Sequence, residues 1–273
     1  MSQELTIEAG HAERQYWKDL WRYRELFLIL TWRDVAVQYK QTVVGILWAV
    51  LRPLLTMAAF TIVFSKIAKL PAEGEAPYAL MVFAAMLPWQ LFATSLAATA
   101  NSLVINSNLV SKVYFPRVIV PTATLGVAIV DFAISFVLLC GMMCWYQYLP
   151  PIQVLIIFPL TLLAGLVALG PGLILCALNV TYRDFRIMVP FITQFGLYIS
   201  PVGFSSSIVP EKWRLLYECN PMVGVIDGFR WAILGTTDFP GRALLISSVC
   251  ALVFLLLGIK IFRRTERTFA DVI

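Results

Sequence analysis

Ile152 to Val180 reads IQVLIIFPLTLLAGLVALGPGLILCALNV, 29 residues without a single Asp, Glu, Lys or Arg. A helix rising about 1.5 Å per residue crosses a hydrocarbon core of about 30 Å with roughly 20 mainly apolar residues. This run exceeds that minimum, so it spans a bilayer with room to tilt or bend. A soluble core does not absorb so much uninterrupted apolar length. Outward from it, five more stretches have the same character: Val43 to Ser65, Tyr78 to Leu103, Val118 to Tyr148, Ile187 to Ser206 and Ala243 to Phe262. The reading is an all-α integral membrane protein with six transmembrane helices. It is one membrane domain over 1–273: a cytoplasmic tail and interface helix over 1–42, a six-span bundle over 43–262 and a cytoplasmic tail over 263–273.

Composition agrees with this reading. The 273 residues are 60% hydrophobic and 14% charged, with a mean hydropathy of +0.80, where soluble domains carry about 25% charged residues. The net charge of +5 does not call for nucleic acid, because membrane proteins place surplus Lys and Arg on the cytoplasmic side. With six spans, Arg14, Lys18, Arg22, Arg24, Arg33, Lys40, Lys112, Arg117, Arg183, Arg186, Lys260, Arg263, Arg264 and Arg267 fall on one side. Only Lys66, Lys69, Lys212, Arg214, Arg230 and Arg242 fall on the other. The asymmetry puts both termini in the cytoplasm.

The N-terminus lacks the basic start, apolar run and small-residue cleavage site of a signal peptide, so insertion is expected to use the first span. Cys140, Cys144, Cys176 and Cys250 lie in spans as small apolar residues. Cys219 faces the outside alone, which gives no disulfide framework. His11 is the sole histidine, so no metal-ligand cluster is expected.

Before the first span, Trp17, Leu20, Trp21, Phe27 or Leu28, Trp32, Val35 and Tyr39 recur at steps of three and four, with Lys18, Arg22, Arg33 and Lys40 on other faces. This predicts one amphipathic helix lying in the cytoplasmic headgroup layer. Within the first span, Pro53 removes a backbone donor and is expected to kink the helix. Arg52 costs about 2.5–3.5 kcal/mol at a helix centre on insertion scales, less if it snorkels. Asp131 in the third span is expected either to compensate a cation such as Arg52 or to receive helix hydrogen bonds.

Two inside connections are short. Asn106 to Pro121 reads NSNLVSKVYFPRVIVP, and Asn179 to Arg186 reads NVTYRDFR. They are solvated turns obeying the charge rule or docking surfaces for a cytoplasmic subunit. The outside connection from Ser205 to Gly241 holds EKWRLLYE, an Asn220-Pro221 turn and MVGVIDGFRWAIL. It predicts two short amphipathic helices at the outer surface, with Asp227 and Arg230 on one helical face.

Four blocks now carry a resemblance. They are Arg33-Asp34 with Tyr39-Lys40, Thr42, Gly45, Trp48 and Pro53; Leu87-Pro88-Trp89 leading to Asn101, Ser102 and the run Lys112-Val113-Tyr114-Phe115-Pro116-Arg117; Asn179 with Arg183-Asp184 and Ser200-Pro201-Val202; and Asn220-Pro221-Met222 with Arg230. In this order, and over nearly the whole chain, the sequence resembles the transmembrane subunit of ABC-2 type exporters, in the branch that moves lipid-linked polysaccharides such as O-antigens, capsules and teichoic acids. The resemblance implies a homodimer in the bacterial inner membrane, an amphipathic interface helix and re-entrant outer helices between spans five and six. It also implies two separate cytoplasmic ABC ATPase subunits, which would hold the ATP and Mg; this chain needs no cofactor. Lys112, Tyr114, Phe115, Pro116, Arg117, Tyr182, Arg183, Asp184 and Arg186 become the expected coupling residues. Arg33 and Lys40 become candidates for an undecaprenyl-type pyrophosphate headgroup through charge-assisted hydrogen bonds, the alternative being ordinary attraction to anionic membrane lipids.

A chain that hydrolysed ATP itself would need a phosphate-cradling loop ending in Lys and Ser or Thr. Gly165 to Gly170 is the nearest run, but Pro171 follows it inside an apolar span. It is better read as a closely packed helix point where Gly170, Pro171 and Gly172 permit a bend. A permease without catalytic residues is therefore expected. A proton-coupled secondary transporter would need more intramembrane carboxylates than Asp131 supplies, and a membrane glycosyltransferase would need paired acids or a metal motif. Sugars suit flat aromatic faces with modest hydrogen bonders. Trp89, Gln90 and Phe92 next to Pro88, and Gln194, Phe195 and Tyr198 before Ser200-Pro201, are the expected path lining.

Overall fold

The computed structural model describes residues 12–40, 43–71, 76–182, 184–235, 238–266 and 269, and its described secondary structure is helical throughout. The order is α1 (Ala12–Arg22), α2 (Arg24–Lys40), α3 (Val43–Phe60, extended by a π turn over Thr61–Ile67), α4 (Tyr78–Ile105), α5 (Ser107–Lys112) and α6 (Ile119–Trp145). There follow α7 (Ile157–Thr181, entered through a 3-10 turn at Ile152–Ile156), α8 (Phe185–Ile199), α9 (Glu211–Glu218), α10 (Pro221–Leu234) and α11 (Gly241–Glu266). Among the described residues, five helical stretches are long and apolar enough to cross a membrane: Leu47–Ile67, Tyr78–Ile105, Ile119–Trp145, Ile152–Thr181 and Gly241–Glu266.

The fifth apolar segment departs from its predicted length. α8 has 15 residues, about 22 Å at 1.5 Å per residue. It ends at Ile199 rather than continuing to Ser206, because Pro201 pushes the preceding Ser200 out of the helical region to φ −78°, ψ 152°.

α4 is the axis of the bundle. Of its most apolar stretch 78% is buried, against 11% for α3 and 17% for α11. α7 packs along both α4 and α11, α6 along α4, and α2 along α6. Apolar burial adds little driving force between helices in lipid, so close approach through small residues decides such contacts. A Cβ on Gly170 would stand 2.6 Å from the Phe254 backbone carbon, and one on Gly258 would stand 2.5 Å from the Gly170 carbonyl oxygen. α7 and α11 therefore touch backbone to backbone. Gly172 does the same against the Thr99 side chain of α4 at 2.8 Å. The close packing expected at this point exists, inside a helix that continues through Pro171.

The region before the first span is not one amphipathic helix. It breaks at Tyr23 into α1 and α2, and Leu20, Tyr23, Leu26, Phe27 and Leu30 turn inward. Trp21, Leu28 and Trp32 face outward. The predicted single aromatic face is thus divided between two sides, because α2 must also present Thr31 to α6, where it fills the space above Gly126 and donates to the Ala123 carbonyl at 3.1 Å.

α10 is a second correction. It lies buried against α4, α7 and α11 rather than at the surface. Asn220 caps it by accepting from the Met222 N–H at 3.1 Å, Pro221 occupies the first turn, and Gly235 at φ +64° closes it in the left-handed conformation.

Candidate functional site

Both ends of the described chain meet at one end of the bundle. Tyr16 of α1 donates to Glu266 Oε2 at 3.2 Å, and the Arg117 backbone N–H and Nη1 reach Glu266 Oε1 and its carbonyl oxygen at 2.8 Å each. The Asn179 side-chain amide donates to the Ala100 carbonyl at 2.8 Å, tying the last part of α7 to that of α4. The Glu266 and Asn179 contacts together bring Asn106–Arg117 and the residues Tyr182, Asp184, Phe185 and Arg186 to the same end, the basic end. Burial, then the nearby Glu266 carboxylate, raises the Tyr16 phenol well above its ordinary range, so it remains a donor.

The Lys112–Arg117 run divides in two. Lys112, Val113 and Tyr114 are exposed, Tyr114 at 61%. Phe115 is buried with Leu103, Ile119 and Phe262, Pro116 is buried beside it, and Arg117 is bound to Glu266. The exposed tip is short and is anchored directly behind by Phe115, Pro116 and Arg117. In the second connection Tyr182, Asp184 and Arg186 are exposed, and the Tyr182 and Phe185 rings lie 6.1 Å apart. Arg183 lies outside the described residues, as does the Lys40 side chain.

Arg33 sits beside this end with its side chain 42% exposed. Its Nε donates to Asp34 at 2.8 Å and its Nη2 to Asn106 Oδ1 at 2.7 Å. A guanidinium has five donors, so these partners orient it and still leave N–H groups for a second anion.

Arg52 and Asp131 do not pair. Asp131 accepts from Gln38 Nε2 at 3.1 Å and from the Tyr39 hydroxyl, so α2 and not α3 satisfies the carboxylate. The geometry explains the outcome: α2 packs along α6, whereas α3 touches it lightly. Burial, followed by the Asp131 hydrogen bond and charge, holds the Tyr39 phenol above its usual value. Arg52 is exposed on α3.

The two halves of the expected sugar path also separate. Gln194, Phe195 and Tyr198 line the exposed side of α8, with Phe195 54% and Tyr198 60% exposed. Phe191 and Phe195 hold their centroids 4.2 Å apart, and Tyr198 stacks on Phe60 of α3 at 6.1 Å. Trp89 and Phe92 are buried instead, 5.3 Å apart, with the Trp89 ring closing on Gly196. They support the aromatic face of α8 from behind.

Beyond α8, the Ser200–Ser205 turn is held by Arg230, which is 1% exposed and donates to the Phe204 carbonyl at 2.8 Å and the Val202 carbonyl at 3.1 Å. The Tyr78 hydroxyl donates to the Gly203 carbonyl, and Asn220 donates to Ser200 Oγ at 3.0 Å. A buried cation thus satisfies backbone left free where the helix stops, which unwound chain inside a membrane bundle requires. Sequence reasoning missed Asn106, Glu266 and Gly196 as partners. Only Glu266, an acid in the last turn of a helix that carries Arg263 and Arg264, left a readable signal.

Comparison with known proteins gives concordant results. The ABC-2 type transporter family matches residues 25–234. The chain is 28% identical over 258 residues to an O-antigen export system permease protein of Myxococcus xanthus, covering 93% of this chain and 97% of that protein. It is 25% identical over 252 residues to an O-antigen export system permease protein of Klebsiella pneumoniae, covering 91% and 95%. A capsule polysaccharide export inner-membrane protein of Neisseria meningitidis serogroup A is 24% identical over 248 residues, covering 87% and 90%.

Proposed function

The chain belongs to the ABC-2 type transporter family, and from that premise we propose that it is the permease subunit of an exporter for a lipid-linked, O-antigen-like polysaccharide. Two copies form the conduit in the bacterial inner membrane, with six crossings per copy, α8 and its turn making the fifth, and with both termini cytoplasmic. Two separate ABC ATPase subunits drive it by binding ATP and Mg. A capsule glycan is the second reading, supported by the meningococcal relative.

One observation carries the coupling part of this reading: the exposed Lys112–Tyr114 tip and the exposed Tyr182, Asp184 and Arg186 share the end where Tyr16 of α1 meets the last turn of α11. A motor outside the membrane needs short, stiff contact points there. Arg33, oriented by Asp34 and Asn106, takes the carrier pyrophosphate through its remaining donors. The outward aromatic side of α8, with Gln194, Phe195 and Tyr198, gives the glycan a surface that touches without trapping. A proton-coupled carrier is a poorer account, since Asp131 is already engaged by Gln38 and Tyr39.

The test is a Lys112→Ala, Tyr114→Ala, Tyr182→Ala variant. These side chains are exposed, so the membrane level of the permease should match wild type, while recovery of the ATPase with the purified permease and surface display of polymer should each fall about tenfold or more, a change of about 1.4 kcal/mol in partner binding. Wild-type ATPase recovery with normal export would remove these connections from the coupling surface.

A further inference from the structure

At the basic end, a cleft of about 440 Å³ lies between α1 and α2 on one side and α6, α7 and α11 on the other. That size is within the range of ligand clefts, about 300–1,000 Å³. Its interior is apolar, formed by Phe27, Leu173, Leu255 and Ile259, and its rim carries Arg24 and Arg263.

Both guanidinium groups lie over aromatic rings, Arg24 over Trp21 at 5.3 Å and Arg263 over Tyr16 at 4.7 Å. A ring takes the flat side of a guanidinium and leaves its N–H edge for oxygen acceptors. Glu266, the acid beside this rim and within the field of Arg263, has its carboxylate hydrogen-bonded by the Tyr16 hydroxyl and the Arg117 backbone N–H, while the Arg117 guanidinium takes its carbonyl oxygen. From Arg263 to Leu255 the cleft wall follows α11 for about 12 Å at 1.5 Å per residue. That is most of the depth of one leaflet, about 15 Å.

We propose that this cleft binds one anionic phospholipid, holding its phosphate between Arg24 and Arg263 and one acyl chain along Phe27, Leu173, Leu255 and Ile259. Two cations at the rim select a net negative headgroup, because a zwitterionic lipid brings a quaternary ammonium against them. The apolar interior selects a chain-bearing phosphate over a free one. This site is distinct from the Arg33 position, nine residues further along α2, about 13 Å away on the same helix. It does not depend on the export reading. A lipid here wedges α1 and α2 against the bundle and so stabilises the packed position of the α1–α2 segment.

Native mass spectrometry of the purified, delipidated protein, with its ATPase partners where they accompany it, tests the proposal. The probes are phosphatidylglycerol, phosphatidylcholine, inorganic phosphate and a polyprenyl phosphate. One phosphatidylglycerol should be retained at least tenfold more strongly than phosphatidylcholine, with no displacement by millimolar phosphate. Arg24→Gln with Arg263→Gln should lower that retention about tenfold, and Thr122→Phe, which narrows the cleft without touching the charges, should lower it as well. If the double variant does not purify folded, Arg24→Gln alone carries the same reading, since Arg24 is exposed. Equal retention of the two phospholipids, wild-type retention by the charge variant, or displacement by inorganic phosphate would overturn the proposal. Preferential displacement by polyprenyl phosphate would assign the cleft to the carrier instead.

Discussion

Along α4, α7, α10 and α11, helices approach through alanine and glycine, and side chains such as Leu80, Ala84, Ala168 and Ile226 are fully buried. Along α3 and α8, the helices rest on α4 by a few contacts and turn Leu55, Ile62, Phe191 and Tyr198 outward. The second arrangement is no packing defect, because apolar surface facing lipid loses no hydrophobic stabilisation. What differs is tolerance to rearrangement. A close-packed interface accepts only one arrangement of its side chains, whereas α3 and α8 meet α4 over little surface, the Trp89 ring against Gly196 being the tight point. The lightly packed flank also carries the outward aromatic row, so the residues proposed to meet the glycan lie where the least packing opposes a shift.

The severest way to break this comparison is to insert bulk inside the α7–α11 contact and, on the same helix pair, away from it. Gly258→Leu would place its Cβ against the Gly170 backbone, a clash worth about 3 kcal/mol or more because neither backbone can retreat. Folded, monodisperse protein should be nearly lost in detergent gel filtration. Gly165→Leu, with nothing within 4 Å of its Cβ position, should behave as wild type. Comparable losses would show that α7 is no tighter where it meets α11.

A second test exchanges aromatics with the same local signature. Trp89→Ala empties a buried site against Gly196 and should cost about 3–5 kcal/mol, lowering the thermal midpoint. Phe195→Ala, on the exposed side of α8, should change stability by less than about 1 kcal/mol while cutting polymer export several-fold. If Phe195→Ala exports normally, α8 does not face the glycan.

The smallest effect sharpens the boundary between the halves. Asp131→Asn and Tyr39→Phe should show a coupling of about 1 kcal/mol in a double-mutant cycle, the usual size of an interhelical hydrogen bond in a bilayer. Asp131→Asn with Arg52→Leu should be additive within about 0.5 kcal/mol. A larger coupling to Arg52 would mean that α3 moves onto α6 in another state.

Much of this was legible in the sequence. Apolar length, tolerant of one charge as at Arg52 or Asp131, located five candidate spans within a few residues, since crossing a hydrocarbon layer is a one-dimensional requirement. The early stop of α8 was also written there, as Ser200 before Pro201. The burial of α10 was not, because Asp227 and Arg230 three apart read as a wet face. Arg230 is instead satisfied by carbonyls 26 and 28 residues earlier in the chain. Trp89 and Tyr198 each stand beside a proline-marked irregularity, and no local pattern says which one meets Gly196. Arg117 reads as a free docking cation until Glu266, 149 residues away, closes on it.

That last contact has a consequence in time. Glu266 secures Tyr16 and Arg117 at once, yet it is made after both of them, 250 residues after the first. At about 5–20 residues per second of synthesis, Tyr16 waits roughly 12–50 s for its acceptor, and Arg117 waits more than half as long. During that interval α1 has no partner on α11 and the start of α6 is held only by its neighbours. The nascent chain must cross the membrane several times with its basic end still open, and α11 is the helix that closes it.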